Sequence, residues 1–113
     1  MPTVLGADLV AGLREALERA NAEDAIRALV LTNEGSTWCA GANLKEQSAR
    51  NEAGASTALG DFPELLQAIQ RSPTPVIGRI DGHVVGGGNG LAAVCDVAIA
   101  RADVTFGFTE VRL

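Results

Sequence analysis

Short apolar runs that alternate with helical patterns constrain this chain's fold more than any other feature of its sequence. Apolar residues recur at spacings of three and four over residues 8–22, which predicts an amphipathic helix. A second such pattern begins at Asp61 and has to end before Pro73. Short apolar runs at residues 28–32, 75–80, 97–100 and 104–106 are predicted to be strands, and the first of them is predicted to be buried. Strands and helices that alternate in this way indicate an α/β fold.

Composition limits the size and the class of the molecule. A chain of 113 residues can bury one small core, so a second domain is not expected. Apolar residues make up 47% of it and charged residues 20%, which is typical of a globular protein. The formal net charge is −5 and the basic residues are scattered, so we expect no nucleic-acid partner.

Metal and membrane sites are also not expected. Cys39, Cys95 and His83 are too few and too far apart for a zinc site. No stretch approaches the roughly 18 apolar residues that span a bilayer, and the first residues lack the pattern of a secretory signal. We therefore expect a cytoplasmic protein with no membrane partner.

Three consecutive glycines, Gly86 to Gly88, lie between a predicted strand and a predicted helix that runs through Leu91. Glycines allow the backbone to approach a ligand closely, and a helix start favours negative charge. An oxyanion could bind there, although for a lone triplet a tight turn and close helix packing are the favoured explanation. The residues do not fit the glycine patterns of dinucleotide sites or P-loops.

A second run of small residues, from Ala40 to Ala42, follows another predicted strand. Its backbone N–H groups are not covered by bulky side chains, although a tight connection would explain the run equally well. Two such segments followed by an acid at Glu110 form a stronger pattern than any one of them. An enolate requires hydrogen-bond donors at oxygen and a base at carbon.

Three motifs carry a resemblance to a known family. They are WCAGANLK at residues 38–45, GHVVGGGNGLAAVCD at residues 82–96 and FGFTE at residues 106–110. In their sequence, order and separation, they resemble the enoyl-CoA hydratase/isomerase (crotonase) family. The resemblance implies a crotonase-like β-β-α spiral, incomplete at both ends, with residues 1–113 forming its central active-site portion. Such a piece is expected to expose strand edges and apolar surface, and to dissolve poorly or associate.

The resemblance also implies site residues. Those of the oxyanion hole, which hold the thioester carbonyl of an acyl-CoA, correspond to the backbone amides of Ala40 and Gly87. The catalytic acid corresponds to Glu110. Contacts to substrate and coenzyme A correspond to Gly86 and to the segment Ala42, Asn43, Leu44 and Lys45. Lys45 could assist phosphate or could be an ordinary solvated charge, and Asn43 stands where the family usually has Asp.

One position departs from the family's hydratases. Those enzymes commonly use two glutamates, and Gly90 occupies the place of the first. A single carboxylate is more similar to the family's isomerases, in which one Glu moves a proton between two carbons of a dienolate.

The resemblance implies an acyl-CoA substrate, no cofactor beyond the coenzyme A of that substrate, and a homo-oligomer (trimer or dimer of trimers) in the full-length form.

Three functional hypotheses stay open from the sequence. The first is an enoyl-CoA isomerase or hydratase, the second a non-catalytic acyl-CoA-binding or assembly fragment, and the third an unrelated small α/β interaction domain.

Several other residues are interpreted as structural. His83 is expected in a turn or the core, Cys39 as a packed thiol and Asp96 as a backbone hydrogen-bond acceptor. The aromatic residues Trp38, Phe62, Phe106 and Phe108 are expected in the core or the wall of the pocket.

Overall fold

The computed structural model describes residues 6–40 and 61–108 of the chain. Each helix of this part is followed by a pair of short strands. The helices are α1 (Ala7–Ala22), α2 (Asp61–Arg71) and α3 (Gly88–Val94). The strands are β1 (Leu29–Leu31), β2 (Thr37–Cys39), β3 (Val76–Ile80), β4 (His83–Val85), β5 (Val97–Ala100) and β6 (Phe106–Gly107).

The strands form two parallel sheets with the orders β1-β3-β5 and β2-β4-β6. In the first sheet Leu29 pairs with Val76, and Ile77 pairs with Val97. Each successive helix and strand pair therefore forms one coil of a spiral, stacked on the coil before it. This arrangement confirms the predicted α/β fold and the β-β-α spiral that the resemblance implied.

The core lies between the two sheets and the helical layer. Its most completely buried large side chains come from all three layers and are Leu65, Ile80, Val76, Val84 and Cys39. Helix α1 contributes Val10 and Leu17 to the core, and Leu17 belongs to the apolar face that the spacing predicts. Burying a side chain of this kind stabilises the fold by about 1.5–3 kcal/mol, so residues on every coil hold the stack together.

The first two coils approach closely at the corner between the sheets. The Asn33 side chain accepts a hydrogen bond from the Asp81 amide at 3.1 Å and donates to the Gly35 carbonyl at 3.1 Å. A Cβ at Gly82 would lie 2.8 Å from the backbone nitrogen of Trp38, which is closer than real contacts allow. Glycine is required at this corner because the neighbouring coil occupies the space of a side chain.

Most of the predicted elements are confirmed. The helices over 8–22 and from Asp61 are present, as are the strands of the first sheet. The residues alone did not predict β2 and β4 of the second sheet, and the strand expected at 104–106 is instead Phe106–Gly107. The helix start predicted at residues 45–50 and the loop predicted at residues 51–60 lie outside the described residues.

The last coil of the described part has an exposed apolar surface. All four residues of β5 are exposed, among them Val97 and Ile99. Phe106 and Phe108 are also exposed, so neither is a core residue of the described part. Trp38 and Phe62 are buried, as predicted. No helix in residues 6–40 or 61–108 is long and apolar enough to cross a membrane.

Candidate functional site

The second sheet brings the segments that the sequence set apart to one edge. Strands β2, β4 and β6 are adjacent and parallel, so their carboxyl ends lie side by side. Ala40 directly follows β2, Gly86 and Gly87 follow β4, and Phe108 follows β6. Ligand sites in open parallel sheets form at the carboxyl ends of the strands. This strand-end edge is therefore the candidate site.

The turn after β4 requires glycine. Gly86 has a φ of +57°, a left-handed conformation that residues with a Cβ rarely adopt. Its amide donates to the Gly107 carbonyl at 2.9 Å, which holds the turn against the end of β6. Gly87 has φ −59° and ψ −19° and caps the N-terminus of α3. The chain can therefore pass from strand to helix within two residues.

The carbonyl oxygen of Gly86 accepts two hydrogen bonds from one residue. The backbone amide of Asn89 donates to it at 3.0 Å, and the side-chain Nδ2 of Asn89 donates at 2.9 Å. The same Nδ2 donates to the Gly107 carbonyl at 3.0 Å. Asn89 therefore joins the ends of β4 and β6.

The segment after β2 packs directly on the start of α3. A Cβ built on Gly88 would lie 2.7 Å from the carbonyl oxygen of Cys39 and 2.8 Å from its Cβ. Only glycine permits this approach, because real Cβ atoms are not found so close to backbone oxygen. The contact joins Cys39 and Gly88, which are the immediate neighbours of Ala40 and Gly87. The structure thus brings the two predicted backbone sites together.

The amides of Ala40 and Gly87 share a further property. Within residues 6–40 and 61–108, neither amide donates a hydrogen bond to a backbone carbonyl. Both residues are half-buried. A backbone N–H group that is shielded from solvent is costly to leave without an acceptor. These two amides are thus available to an acceptor that is not part of the described backbone.

The other predicted site residues cannot be placed. Ala42, Asn43, Leu44, Lys45 and Glu110 lie outside the described residues. Glu110 is two residues beyond Phe108, the last residue described after β6. The catalytic role of Glu110 and the coenzyme A contacts of residues 42–45 stay predictions.

An apolar cavity of about 240 Å³ adjoins the strand-end edge at Cys39. Residues of α1, β1, β2 and α3 surround it. They are Leu9, Leu13, Val30, Leu31, Thr32, Trp38, Cys39 and Leu91. Pockets for drug-sized ligands usually measure about 300–1,000 Å³, so this cavity is too small to hold a whole acyl-CoA.

Comparison with known proteins establishes the family. The sequence model described as enoyl-CoA hydratase/isomerase matches residues 3–113. The chain belongs to this family. Its crotonase-family relatives include the enoyl-CoA isomerase/hydratase fer4 of Mycosarcoma maydis, which is 41% identical over 88 residues, 77% of this chain and 32% of the relative. The (E)-benzylidenesuccinyl-CoA hydratase of Thauera aromatica is 34% identical over 96% of this chain and 43% of its own length.

Solved structures agree with this assignment. The crystal structure of an enoyl-CoA hydratase from Bacillus anthracis superimposes with a TM-score of 0.85 at 34% identity, covering 95% of this chain and 42% of that chain. The chain thus spans less than half the length of these family members. Its fold is the crotonase fold, and the hypothesis of an unrelated α/β interaction domain is excluded.

Gly90 is the residue that the resemblance matches to the first glutamate of the family's hydratases. It lies in α3, half-buried, and among the described residues a Cβ there would meet only Leu66 Cδ1, at 3.6 Å. That distance is an ordinary van der Waals contact, so packing against the neighbouring atoms does not require glycine. Within residues 6–40 and 61–108, packing therefore gives no reason for glycine at position 90.

Two residues interpreted as structural do bind backbone groups. Asp96 Oδ2 accepts a hydrogen bond from the Val76 amide at 2.8 Å, which fastens the start of β3. His83 Nδ1 accepts one from the Thr105 amide at 3.0 Å. His83 is exposed and lies in β4, so its predicted place in a turn or the core was wrong. Cys39 is buried, as expected of a packed thiol.

Charged groups cluster away from the strand-end edge of the second sheet. Arg101, just after β5, bonds the Asp81 carboxylate at 2.8 Å and also the Asp103 carboxylate. The hydrogen bond from Arg101 lowers the pKa of Asp103. All three side chains are exposed, so these ion pairs contribute little to stability. Within the described part of the chain, no cluster of three His, Cys, Asp or Glu side chains could hold a metal ion.

Cys95 is predicted to react slowly with alkylating agents near neutral pH. Partial burial, followed by the nearby Asp96 carboxylate, raises the pKa of its thiol, and Sγ lies 3.4 Å from the Leu91 carbonyl. Because the thiolate is the nucleophile, a raised pKa leaves less of it at pH 7, and the rate should rise with pH through the alkaline range. Iodoacetamide labelling of Cys95 followed by peptide mass analysis, with glutathione as the reference thiol, measures this. Labelling at pH 7 as fast as that of glutathione would contradict it.

The sequence interpretation assigned no role to Asn89, although it lies within the second motif. Asparagine in the first turn of a helix commonly binds nearby backbone groups. That preference is the sequence feature from which a structural role for Asn89 could have been predicted. The second carbonyl, at Gly107, is 18 residues away and could not be identified without the fold.

Proposed function

We propose that the protein acts on an enoyl-CoA thioester and moves its double bond, with Glu110 as the proton shuttle. In this reaction Glu110 takes a proton from the carbon beside the thioester carbonyl. The resulting dienolate carries negative charge on the carbonyl oxygen, where the amides of Ala40 and Gly87 donate hydrogen bonds. Glu110 then returns the proton to the far carbon of the dienolate. The double bond thereby becomes conjugated with the carbonyl.

The observation that carries this proposal is the pair of amides at the strand-end edge. Ala40 and Gly87 follow adjacent parallel strands, their neighbours Cys39 and Gly88 are in contact, and neither amide donates to a described backbone carbonyl. Preorganised backbone donors of this kind stabilise an oxyanion, and losing one typically costs about 2.7–4 kcal/mol of transition-state stabilisation. The name of the family and that of the Thauera aromatica relative support an acyl-CoA thioester as the molecule that carries this oxygen.

Gly90 favours isomerisation over hydration. Adding water across a double bond requires activation of the water as well as a proton for carbon, and glycine supplies neither group. Moving one proton between two carbons requires a single carboxylate. The relative from Mycosarcoma maydis is named for both reactions, so the family setting is compatible with either one.

The proposal extends to binding and assembly. Gly86 and residues 42–45 would contact the coenzyme A portion, and Lys45 would assist its phosphate groups. No cofactor other than this coenzyme A is required. The protein would be a homo-oligomer, a trimer or dimer of trimers, in the cytoplasm, without nucleic-acid or membrane partners.

Assays of the purified chain with two substrates test the proposal. A 3-enoyl-CoA should gain the ultraviolet absorbance of a conjugated thioester as the double bond moves. A 2-enoyl-CoA should lose that absorbance much more slowly, because hydration lacks its second acid. Faster hydration than isomerisation would reverse the assignment within the family. Absence of both reactions would contradict the enzymatic proposal.

A second function is a non-catalytic acyl-CoA-binding or assembly fragment. Gly90 and the coverage of less than half of each reported relative favour it. Isothermal calorimetry with a saturated acyl-CoA separates the two proposals. Binding of the thioester without turnover of either enoyl-CoA would support the fragment, whereas binding with turnover would support the enzyme.

A further inference from the structure

The carbonyl of Gly86 and the N–H of Gly87 belong to one peptide unit. The described chain contains no cis peptide bond, so this unit is planar with its C=O and N–H pointing in opposite directions. Any group that fixes the Gly86 oxygen therefore also fixes the direction in which the Gly87 amide points.

That oxygen is held from the helix side by Asn89 alone among the described residues. Two donors of Asn89, its backbone amide at 3.0 Å and its Nδ2 at 2.9 Å, bind the one oxygen. Nδ2 is itself tied to the Gly107 carbonyl at 3.0 Å. If the peptide rotates, the Asn89 side chain can follow the Gly86 carbonyl only by breaking its own hydrogen bond to Gly107 in β6.

The hydrogen bonds from Asn89 to the Gly86 carbonyl matter because the turn consists of glycines. Gly86 is in the left-handed region, and glycine reaches the mirror conformation at little cost. A rotation of the peptide between Gly86 and Gly87 would turn the Gly87 amide away from its direction in the structure. Hydrogen bonds to the carbonyl oppose this rotation, because turning the peptide breaks them.

We propose that Asn89 is a positioning residue of the oxyanion site, which orients the Gly87 amide by holding the Gly86 carbonyl against the end of β6. The inference rests on the proposed function, since the direction of the Gly87 amide matters only if an oxyanion accepts its hydrogen bond. Asn89 itself does not contact the substrate. Asn89 sets the direction in which the Gly87 N–H points. It therefore stabilises mainly the transition state, in which the thioester oxygen carries the most charge.

The test combines kinetics with the vibrational frequency of a bound thioester carbonyl. In the full chain, Asn89→Ala should lower kcat about 10–100-fold, less than the loss of a complete oxyanion donor, while KM changes little. Asn89→Asp keeps the shape but places a carboxylate, which cannot donate, opposite two carbonyl oxygens, so it should lower kcat at least as much. The infrared stretch of a ¹³C-labelled saturated acyl-CoA should shift down on binding wild type, and this shift should shrink in both variants.

Asn33→Ala is the matched control. Asn33 also bonds the backbone on two sides, to Asp81 and Gly35, but it lies at the corner between the sheets. Its loss should lower the melting temperature without changing the carbonyl shift. Asn89 variants that keep the wild-type shift and kcat would overturn the inference. A wild-type protein that binds the thioester without any carbonyl shift, or that has no turnover, would instead count against the proposed function.

Discussion

Replacing Glu110 with Gln should lower turnover of a 3-enoyl-CoA by about 100- to 10,000-fold, the range that a positioned acid or base contributes. Glutamine has nearly the same shape, but its amide cannot accept and return a proton at neutral pH. Affinity for a saturated acyl-CoA should stay near the wild-type value, because the proposed amide donors and coenzyme A contacts remain. Steady-state assays and calorimetry on the same preparation measure both quantities.

The matched control for this variant is Glu18→Gln. Glu18 is exposed on α1, so the same chemical change is made on an element that does not form the strand-end edge. It should leave turnover and binding unchanged. Full activity in Glu110→Gln would remove Glu110 from the mechanism. A loss of thioester binding as large as the loss of turnover would indicate that Glu110 supports the fold or the binding site instead of moving protons.

Gly88→Ala should impair both the fold and the chemistry. The added Cβ would lie 2.7 Å from the Cys39 carbonyl oxygen, so the peptide between Cys39 and Ala40 has to move. Overpacking of this kind typically costs about 1–3 kcal/mol of folding free energy. The peptide that moves also carries the N–H of Ala40, so kcat should fall by about 100-fold or more. Urea unfolding gives the first value, and assays well below the melting temperature give the second.

Gly12→Ala provides the comparison for Gly88→Ala. Gly12 is exposed in the middle of α1, and a Cβ there would meet no atom of the described residues within 4 Å. Alanine is the better helix former, so this variant should be more stable by about 0.5–1 kcal/mol, with unchanged turnover. Gly88→Ala with wild-type kcat in its folded state would show that the contact between Cys39 and Gly88 does not control the Ala40 amide.

The first sheet and the helices could be predicted from the residues, and the second sheet could not. Strands such as Val76–Ile80 are long enough to show an apolar run with β-branched members. Thr37–Cys39 and His83–Val85 have three residues each, with a polar residue at one end, which is too short for any period to appear. Only the resemblance to the family implied the spiral in which they pair.

The candidate site shows a similar division. The glycines at 86–88 and the small residues after Trp38 could be recognised as accessible backbone, yet neither side-chain chemistry nor spacing gives the direction of an amide. The contact between Gly88 and Cys39 depends on the stacking of coils that are nearly 50 residues apart in the chain, and the bond from Asn89 to Gly107 depends on β6 lying beside β4. These relations are properties of the spiral and not of any one segment.

The use of main-chain donors in the proposed arrangement has an evolutionary consequence. Backbone amides would polarise the carbonyl, whereas protons would be moved by side chains, and position 90 in α3 is one place where a side chain could be added. A single codon change can then add, remove or relocate an acid along the acyl chain while the polarised carbonyl stays in place. The position of proton transfer could therefore change in this arrangement without any change to the backbone donors.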